Sequence, residues 1–129
     1  MFDLHDKIAI VTGASQGIGK TIALELSKSG AFVYCISRNK EAIESVVDNI
    51  KMNGGKSISH ACDISNSANF KEIVKKIIEK HNKIDILVNN AGVTNDSLLM
   101  RMSNKQWDQV IDINLKGAFT CTKAIVRYM

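Results

Sequence analysis

The sequence predicts an α/β protein with a parallel β-sheet and helices packed on both of its faces. Short β-branched segments alternate with segments of helical periodicity along the 129 residues, and no repeat or low-complexity tract interrupts them. The first short segment, KIAIVT at 7–12, is apolar almost throughout, which is typical of a strand buried on both faces of a parallel sheet. Alternation of this kind predicts right-handed strand–helix–strand crossovers.

Four strands and four helices are predicted in alternation. The strands lie at 7–12, 32–37, 56–61 and 85–88. The helices lie at 17–29, at about 39–53, at about 66–81, and from 103 or 104 to the end of the chain. Each strand is a short run with β-branched or aromatic residues, and each helix repeats its apolar residues at i, i+3 and i+4. The third strand is the most polar, so we expect it near an edge of the sheet.

Glycines and small polar residues mark the ends of these elements. Gly30 lies where the end of a helix favours a left-handed residue, and Gly54-Gly55 ends the second helix. Either Ser65 or Asn66 is expected to cap the third helix. In the last helix we interpret Trp107 as a packing residue.

Composition excludes several classes of protein. The chain is 45% hydrophobic and 23% charged, with 8 glycines and no proline, which is typical of a globular domain rather than a disordered or collagen-like one. No apolar run approaches the roughly 20 residues of a membrane-spanning helix, and the N-terminus is unlike a signal peptide. The net charge of +4 is mild and dispersed, so we expect neither nucleic acid nor membrane as a partner.

Cysteines and histidines give no metal-ligand pattern. The three cysteines are Cys35, Cys62 and Cys121, and the three histidines are His5, His60 and His81. The cysteines form no C-x-x-C pair and are odd in number, so we expect reduced, mostly buried thiols in a cytoplasmic protein. We interpret the histidines as ordinary loop or surface residues and expect no metal site.

A glycine-rich turn, TGASQGIG at 12–19, joins the first strand to the first helix. Gly13 permits the tight turn, Gly17 lets backbone approach a pyrophosphate, and Gly19 allows close packing of helix on strand. The first N–H groups of the helix and its dipole offer an anion site. The spacing is G-x-x-x-G-x-G rather than G-x-G-x-x-G. A turn placed between a strand and a helix predicts nucleotide binding, with an ordinary glycine turn as the alternative.

The end of the second strand indicates which dinucleotide is bound. Many NAD-binding units carry a carboxylate there, whereas this chain has Ser37-Arg38, with Lys40 close behind. A guanidinium suits a 2′-phosphate and a carboxylate would repel it. NADP(H) is therefore the predicted cofactor, and an exposed loop arginine without a ligand is the alternative.

Four motifs together resemble the short-chain dehydrogenase/reductase family. They are TGASQGIG at 12–19, DI at 63–64, NNAG at 89–92, and Asn114 in the last helix. The resemblance covers the whole chain and implies a Rossmann-type, doubly wound parallel sheet. Here the sheet would be truncated after its fourth strand and the following helix. Segments 95–102 and 107–119 are similar to the 3-oxoacyl-[acyl-carrier-protein] reductases of that family.

The resemblance implies a role for each matched residue. The residues expected to bind the cofactor are Gly13, Ala14, Ser15, Gln16, Gly17, Ile18, Gly19, Arg38, Asp63, Ile64, Asn90, Ala91 and Gly92. The glycine turn would hold the pyrophosphate, with Ser15 and Arg38 close to the 2′-phosphate. Asp63 would bond the adenine amino group, Ile64 would lie along the ring, and residues 90–92 would line the adenine-side ribose.

One catalytic residue is expected. Asn114 matches the asparagine that holds a backbone-bound water in the family's proton relay; a polar residue that bends its helix is the alternative. Two positions depart from the pattern: Gln16 stands where many NADP-dependent members carry a basic residue, and Asn95 replaces a basic residue of the reductase segment.

The family's catalytic serine and Tyr-x-x-x-Lys are not found in this sequence. Tyr34 has Arg38 four residues on, and Tyr128 is followed only by Met129. We therefore expect residues 1–129 to be the N-terminal cofactor-binding part of a single reductase domain, inactive alone.

The resemblance also implies what the whole enzyme does. It would use NADPH to reduce 3-oxoacyl-[acyl-carrier-protein] to 3-hydroxyacyl-[acyl-carrier-protein] in fatty-acid biosynthesis, as a homotetramer. The expected location is the cytoplasm, or a plastid-type organelle if a leader is missing. Three alternatives stay open: another short-chain ketoreductase, a non-catalytic NADP-binding module, and a flavodoxin-like module. The last is disfavoured because the glycine turn and NNAG have no role there.

Overall fold

A computed structural model of the protein describes residues 3–92 and 101–129. The strands are β1 Ile8–Thr12, β2 Phe32–Ser37, β3 Lys56–Ala61 and β4 Ile86–Val88. The helices are α1 Gly17–Lys28, α2 Lys40–Met52, α3 Ser67–His81, α4 Asn104–Val110 and α5 Gly117–Ile125. The strands pair in parallel in the order β3-β2-β1-β4. This confirms the predicted α/β class and the Rossmann-type sheet.

Strand β1 lies in the interior of the sheet because its side chains are apolar on both faces. Successive side chains of a strand point to opposite faces. Ile8 and Ile10 pack in the layer with α3 and α5, whereas Ala9 and Val11 pack in the layer with α1 and α2. All of β1 is buried, so helices cover both faces and the sheet is doubly wound.

The outer strands differ from β1 in their polar content and burial. β3 is an edge strand, as its composition predicts, and its buried Ser57 hydroxyl donates to the Val33 carbonyl at 2.7 Å. β4 pairs with β1 from Ala9↔Ile86 to Val11↔Val88 and is only half-buried. The fourth strand begins one residue later than predicted. Asp85, just before it, bonds Ile8 twice: its N–H donates to the Ile8 carbonyl at 2.9 Å, and its carboxylate accepts from the Ile8 N–H at 2.8 Å.

Side-chain caps start three of the helices. The Asn39 carboxamide oxygen accepts from the Ala42 N–H at 3.0 Å, and that of Asn66 accepts from the Asn69 N–H at 3.1 Å. Ser103 starts α4 by accepting from the Gln106 N–H at 3.1 Å. Asn66 is therefore the cap of α3, rather than Ser65.

The last helix is not continuous. A π-helical segment, Ile111–Lys116, separates α4 from α5, and a short 3₁₀ turn, Val126–Tyr128, follows α5. The predicted packing of Trp107 is wrong: this residue of α4 is 55% exposed.

The interpretation of the histidines is wrong for two of the three. His60 lies in β3, and its ring stacks on that of Tyr34 with centroids 6.0 Å apart. His81 ends α3, with its Nε2 at 2.7 Å from the Tyr34 hydroxyl. The prediction that the cysteines are mostly buried is confirmed, since all three are buried. None of the helices among residues 3–92 and 101–129 is long and apolar enough to cross a bilayer.

Candidate functional site

A cleft of about 360 Å³ opens at the carboxyl ends of the strands. This edge is where α/β sheets of the doubly wound type bind ligands. All of the predicted cofactor residues line it except Ala14 and Gly19. Four residues that the sequence did not single out as a site also line it: Ile36, Ser37, Cys62 and Ile113. The structure therefore brings together motifs that are separated by up to about 80 residues in the sequence.

The glycine turn forms one wall of the cleft. Its tight shape requires glycine at two positions, because a side chain there would collide with neighbouring atoms. Gly13 has a φ of +63°, and a Cβ there would lie 2.8 Å from the Ala91 Cα. A Cβ on Gly19 would overlap the Gly13 carbonyl oxygen and the Asn90 carboxamide nitrogen. Ala14 is fully buried behind the turn, where its N–H donates to the Ile36 carbonyl at 3.3 Å. Ala14 and Gly19 thus shape the turn rather than line the cleft.

Helix α1 begins at this turn without the side-chain cap seen on α2, α3 and α4. Gln16 holds the N-cap position in extended backbone geometry, and its side chain makes no capping bond to the described first turn of α1. The first N–H groups of a helix carry a partial positive charge and need acceptors. An anion such as a phosphate can supply them, so this wall is chemically suited to a pyrophosphate.

Thr12 joins the glycine turn to the end of β4. Its buried hydroxyl, 1% exposed, donates to the Val88 carbonyl at 3.3 Å. The same oxygen accepts from the Asn90 N–H at 3.1 Å and the Ala91 N–H at 3.0 Å. Thr12 was not among the predicted site residues, although it is the first residue of the TGASQGIG motif. The available signal is a polar residue that closes an otherwise apolar strand directly before the first glycine.

Arg38 stands at the carboxyl end of β2, exposed at the rim of the cleft. The backbone directly after Arg38 is held in place, because the Ser37 hydroxyl accepts from the Asn39 N–H at 3.2 Å and Asn39 caps α2. A guanidinium presented from a fixed backbone can bind an anionic oxygen with two parallel N–H donors.

Asp63, at the end of β3, is the acidic group of the cleft. Hydrogen bonding from the Ser65 N–H is the main cause that lowers its pKa; burial opposes this, while the Ser65 hydroxyl and the charge of Arg38 lower it further. Its carboxylate is therefore ionised at neutral pH and can only accept hydrogen bonds.

An apolar wall completes the cleft. Cys62, Ile64 and Ile113 are all buried and line it. Burial raises the pKa of the Cys62 thiol to about 11, with a contribution from the Asp63 charge, so this thiol is neutral at neutral pH. A Cβ on Gly117 would overlap the end of Ile64, so the glycine lets α5 pack directly on this wall.

Asn114 lies in the π-helical segment, exposed and next to Gly92: a Cβ on Gly92 would be 3.0 Å from the Asn114 carboxamide oxygen. It therefore lies beside the cleft without lining it. Asn95 and residues 95–100 of the reductase segment lie outside the described residues.

Neither tyrosine of the chain is part of the cleft wall. The Tyr34 hydroxyl is bonded to His81, and the Tyr128 hydroxyl accepts from the Arg127 guanidinium at 2.8 Å. Among residues 3–92 and 101–129, no group of three or more His, Cys, Asp or Glu side chains could hold a metal ion.

Curated relatives share this sequence at about two residues in five. The chain is 42% identical over 125 residues to the 3-oxoacyl-[acyl-carrier-protein] reductase FabG of Staphylococcus epidermidis, covering 96% of this chain and 51% of that protein. It is 42% identical over 130 residues to the 3-oxoacyl-[acyl-carrier-protein] reductase of Synechocystis, covering 100% and 53% respectively. The chain thus spans about half the length of the curated relatives it matches.

Solved structures agree in fold. A metagenomic short-chain oxidoreductase in complex with NADP superposes with a TM-score of 0.92 at 37% identity, over 97% of this chain and 57% of the other. A short-chain type dehydrogenase/reductase from Mycobacterium marinum superposes with a TM-score of 0.94 at 33% identity, over 98% and 51% respectively. The model of the short chain dehydrogenase family matches residues 7–129. With the cleft and its motifs, this match shows that the chain belongs to the short-chain dehydrogenase/reductase family.

Proposed function

We propose that this chain is the N-terminal, cofactor-binding part of a single reductase domain that uses NADPH. The observation that carries the proposal is the cleft itself, which combines a glycine turn, the cation of Arg38 and the carboxylate of Asp63. The neighbour solved with NADP supports the choice of cofactor. The relatives named 3-oxoacyl-[acyl-carrier-protein] reductase support the substrate. On this proposal the whole enzyme is a cytoplasmic homotetramer of fatty-acid biosynthesis, and its substrate is linked to acyl carrier protein.

The residues of the cleft divide the cofactor between them. The N–H groups at the start of α1 bind the pyrophosphate, and Arg38 with Ser15 binds the 2′-phosphate. Asp63 accepts a hydrogen bond from the adenine 6-amino group, and Ile64 covers one face of the ring. Residues 90–92 contact the adenine-side ribose. When bound, NADPH supplies the hydride that reduces a carbonyl carbon.

Asn114 holds a water for the proton relay in this proposal. Its carboxamide lies beside Gly92, which lines the cleft. Reduction of a ketone also needs a proton donor at the carbonyl oxygen. The family resemblance assigns that donor to a Tyr-x-x-x-Lys, a pattern that this sequence does not have.

Cofactor titration tests the proposal. We expect calorimetry to show tighter binding of NADPH than of NADH, because Arg38 pairs with the 2′-phosphate. Arg38→Gln should weaken NADPH binding about tenfold or more, as charge-assisted hydrogen bonds contribute roughly 1.5–3 kcal/mol, and leave NADH binding nearly unchanged. Arg127→Gln, in the 3₁₀ turn after α5 and outside the cleft, is the matched control. NADH binding as tight as NADPH binding in the unaltered chain would contradict the proposal.

A non-catalytic NADP-binding module is the second candidate, because the cleft alone is enough for that role. Sequencing the gene past codon 129 distinguishes the two. An open frame that encodes a serine followed by Tyr-x-x-x-Lys supports the reductase, whereas a stop codon supports the module.

A further inference from the structure

Ser65 holds the carboxylate of Asp63 with two donors. The Ser65 N–H lies 3.0 Å from Asp63 Oδ1, and the Ser65 hydroxyl lies 2.8 Å from the same oxygen. The Asn66 N–H donates to the Asp63 carbonyl at 2.9 Å, and Asn66 caps α3. The carboxylate is thus bonded through Ser65 to a segment anchored at the start of a fifteen-residue helix.

Both donors converge on one oxygen. A carboxylate oxygen accepts about two hydrogen bonds, so Ser65 fills the capacity of Oδ1 and leaves Oδ2 as the acceptor that a ligand can use. Asp63 is half-buried in the cleft wall, whereas Ser65 is exposed. Ser65 therefore affects the cleft through Asp63.

We propose that Ser65 is a positioning residue that makes the cleft select a 6-aminopurine. By occupying Oδ1 and fixing the carboxylate, it presents the ionised Oδ2 to the exocyclic amino group of the base. The inference rests on the proposed function, in which adenine lies beside Asp63. An amino group only donates and an ionised carboxylate only accepts, so a purine that lacks the amino group loses this hydrogen bond to Oδ2.

A purely structural role makes a different prediction. If the Ser65 bonds served only to shape the turn before α3, removing the hydroxyl would weaken every ligand of the cleft to the same extent. If they aim the carboxylate, the loss is confined to ligands that carry the 6-amino group. Two ligands that differ in that group alone separate these roles.

The probes are adenosine 2′,5′-bisphosphate and the same bisphosphate with unsubstituted purine as its base. We expect Ser65→Ala to weaken binding of the adenosine compound about threefold to tenfold, the range of one hydrogen bond. Binding of the purine compound should change by less than about twofold. Ser65→Thr keeps the hydroxyl and should restore the selectivity. Ser67→Ala, at the first residue of α3, is the control.

Asp63→Asn provides an independent arm. In that background Ser65→Ala should no longer change the ratio of the two affinities, because the two residues act as one unit. Equal loss of both ligands in Ser65→Ala, or no loss of either, overturns the inference while leaving the proposed function standing. If the unaltered chain binds neither bisphosphate, both fail. Circular dichroism of each variant shows whether the fold is retained.

Discussion

Thr12 connects two parts of the site that are far apart in sequence. Its single hydroxyl oxygen donates to Val88 and accepts from the N–H groups of Asn90 and Ala91. We expect Thr12→Val, which keeps the shape and removes the hydroxyl, to lower the free energy of unfolding by about 2 kcal/mol or more. The reason is that each buried polar group left unpaired costs roughly 1–3 kcal/mol.

Urea denaturation measures this effect. Thr12→Ser keeps the oxygen and should recover most of the loss. Thr21→Val is a matched control, because the Thr21 hydroxyl bonds the Gly17 carbonyl at 3.2 Å on an exposed helix face. Its loss should stay within about 0.5 kcal/mol. Equal destabilisation by Thr12→Val and Thr21→Val would show that the hydrogen bonds of Thr12 stabilise the fold no more than that of an exposed hydroxyl.

Some features of the site could be predicted from the sequence and others could not. The glycine turn could be predicted, because the constraints at Gly13 and Gly19 follow from a local strand–turn–helix pattern. The place of Cys62 in the cleft could not, because it depends on neighbours that only the folded sheet brings near. The bonds of Thr12 to residues 88, 90 and 91 depend on the same folding. Arg38 was predicted as a cleft residue from its position after a strand; its binding to a phosphate stays a prediction.

Helix α3 and strand β2 are joined by a titratable pair. The Tyr34 hydroxyl lies 2.7 Å from His81 Nε2, and the His81 ring packs edge-on against Phe32 at 4.8 Å between centroids. Burial first, and then the charges of Lys80 and Lys83, lower the pKa of His81 from its ordinary value of 6.5. The folded protein therefore favours the neutral imidazole.

This pKa direction predicts how stability depends on pH. Below about pH 6.5 the unfolded chain binds a proton at His81 that the folded chain resists. The stability that neutral His81 contributes to the folded state is fully present above that pH. It is lost as the pH falls through the lowered pKa. We expect urea midpoints to fall on acidification from pH 7.5 to about pH 5.5. His81→Gln, which keeps an acceptor for Tyr34, should flatten the profile.

Two comparisons make this test specific. His5→Gln alters an exposed histidine near the N-terminus and should leave the profile as steep as before. Asp63 and Asp85 have lowered pKa values, so their protonation falls below the tested range. A profile unchanged by His81→Gln would assign the acid sensitivity elsewhere, with His60 as the next candidate because burial lowers its pKa too.

Among the helices and strands, those that the sequence predicts least well are the ones whose geometry depends on packing. The order of strands and helices follows from apolar periodicity. The π-helical segment does not, because periodicity reports which side chains are buried and not which backbone groups are bonded. Ile113, Gly117, Cys121 and Ile125 are buried at spacings of four, a pattern that drifts about 40° per step around an α-helix. The π-helical segment has more residues per turn than an α-helix, so it reduces that drift.

Across the whole molecule, burial is uneven. β1 and β2 are covered on both faces, whereas β4 is half-buried at one edge of the described sheet. Large apolar side chains on the segment from α4 to α5 are exposed, including Leu115 at 66% and Phe119 at 64%. The described residues therefore include one sparsely covered edge, formed by β4 and the segment from α4 to α5.

This asymmetry predicts binding without turnover. Ketone reduction needs a proton donor at the carbonyl oxygen; the family resemblance calls for a tyrosine, and the hydroxyls of Tyr34 and Tyr128 are bonded to His81 and Arg127 instead. We expect the 129-residue chain to bind NADPH but to oxidise it no faster than buffer when an acetoacetyl thioester is added. The absorbance of NADPH follows the reaction, and calorimetry on the same sample shows that the cleft is intact. Turnover well above that of a heat-inactivated sample would mean that a donor other than a family-type tyrosine acts in this cleft.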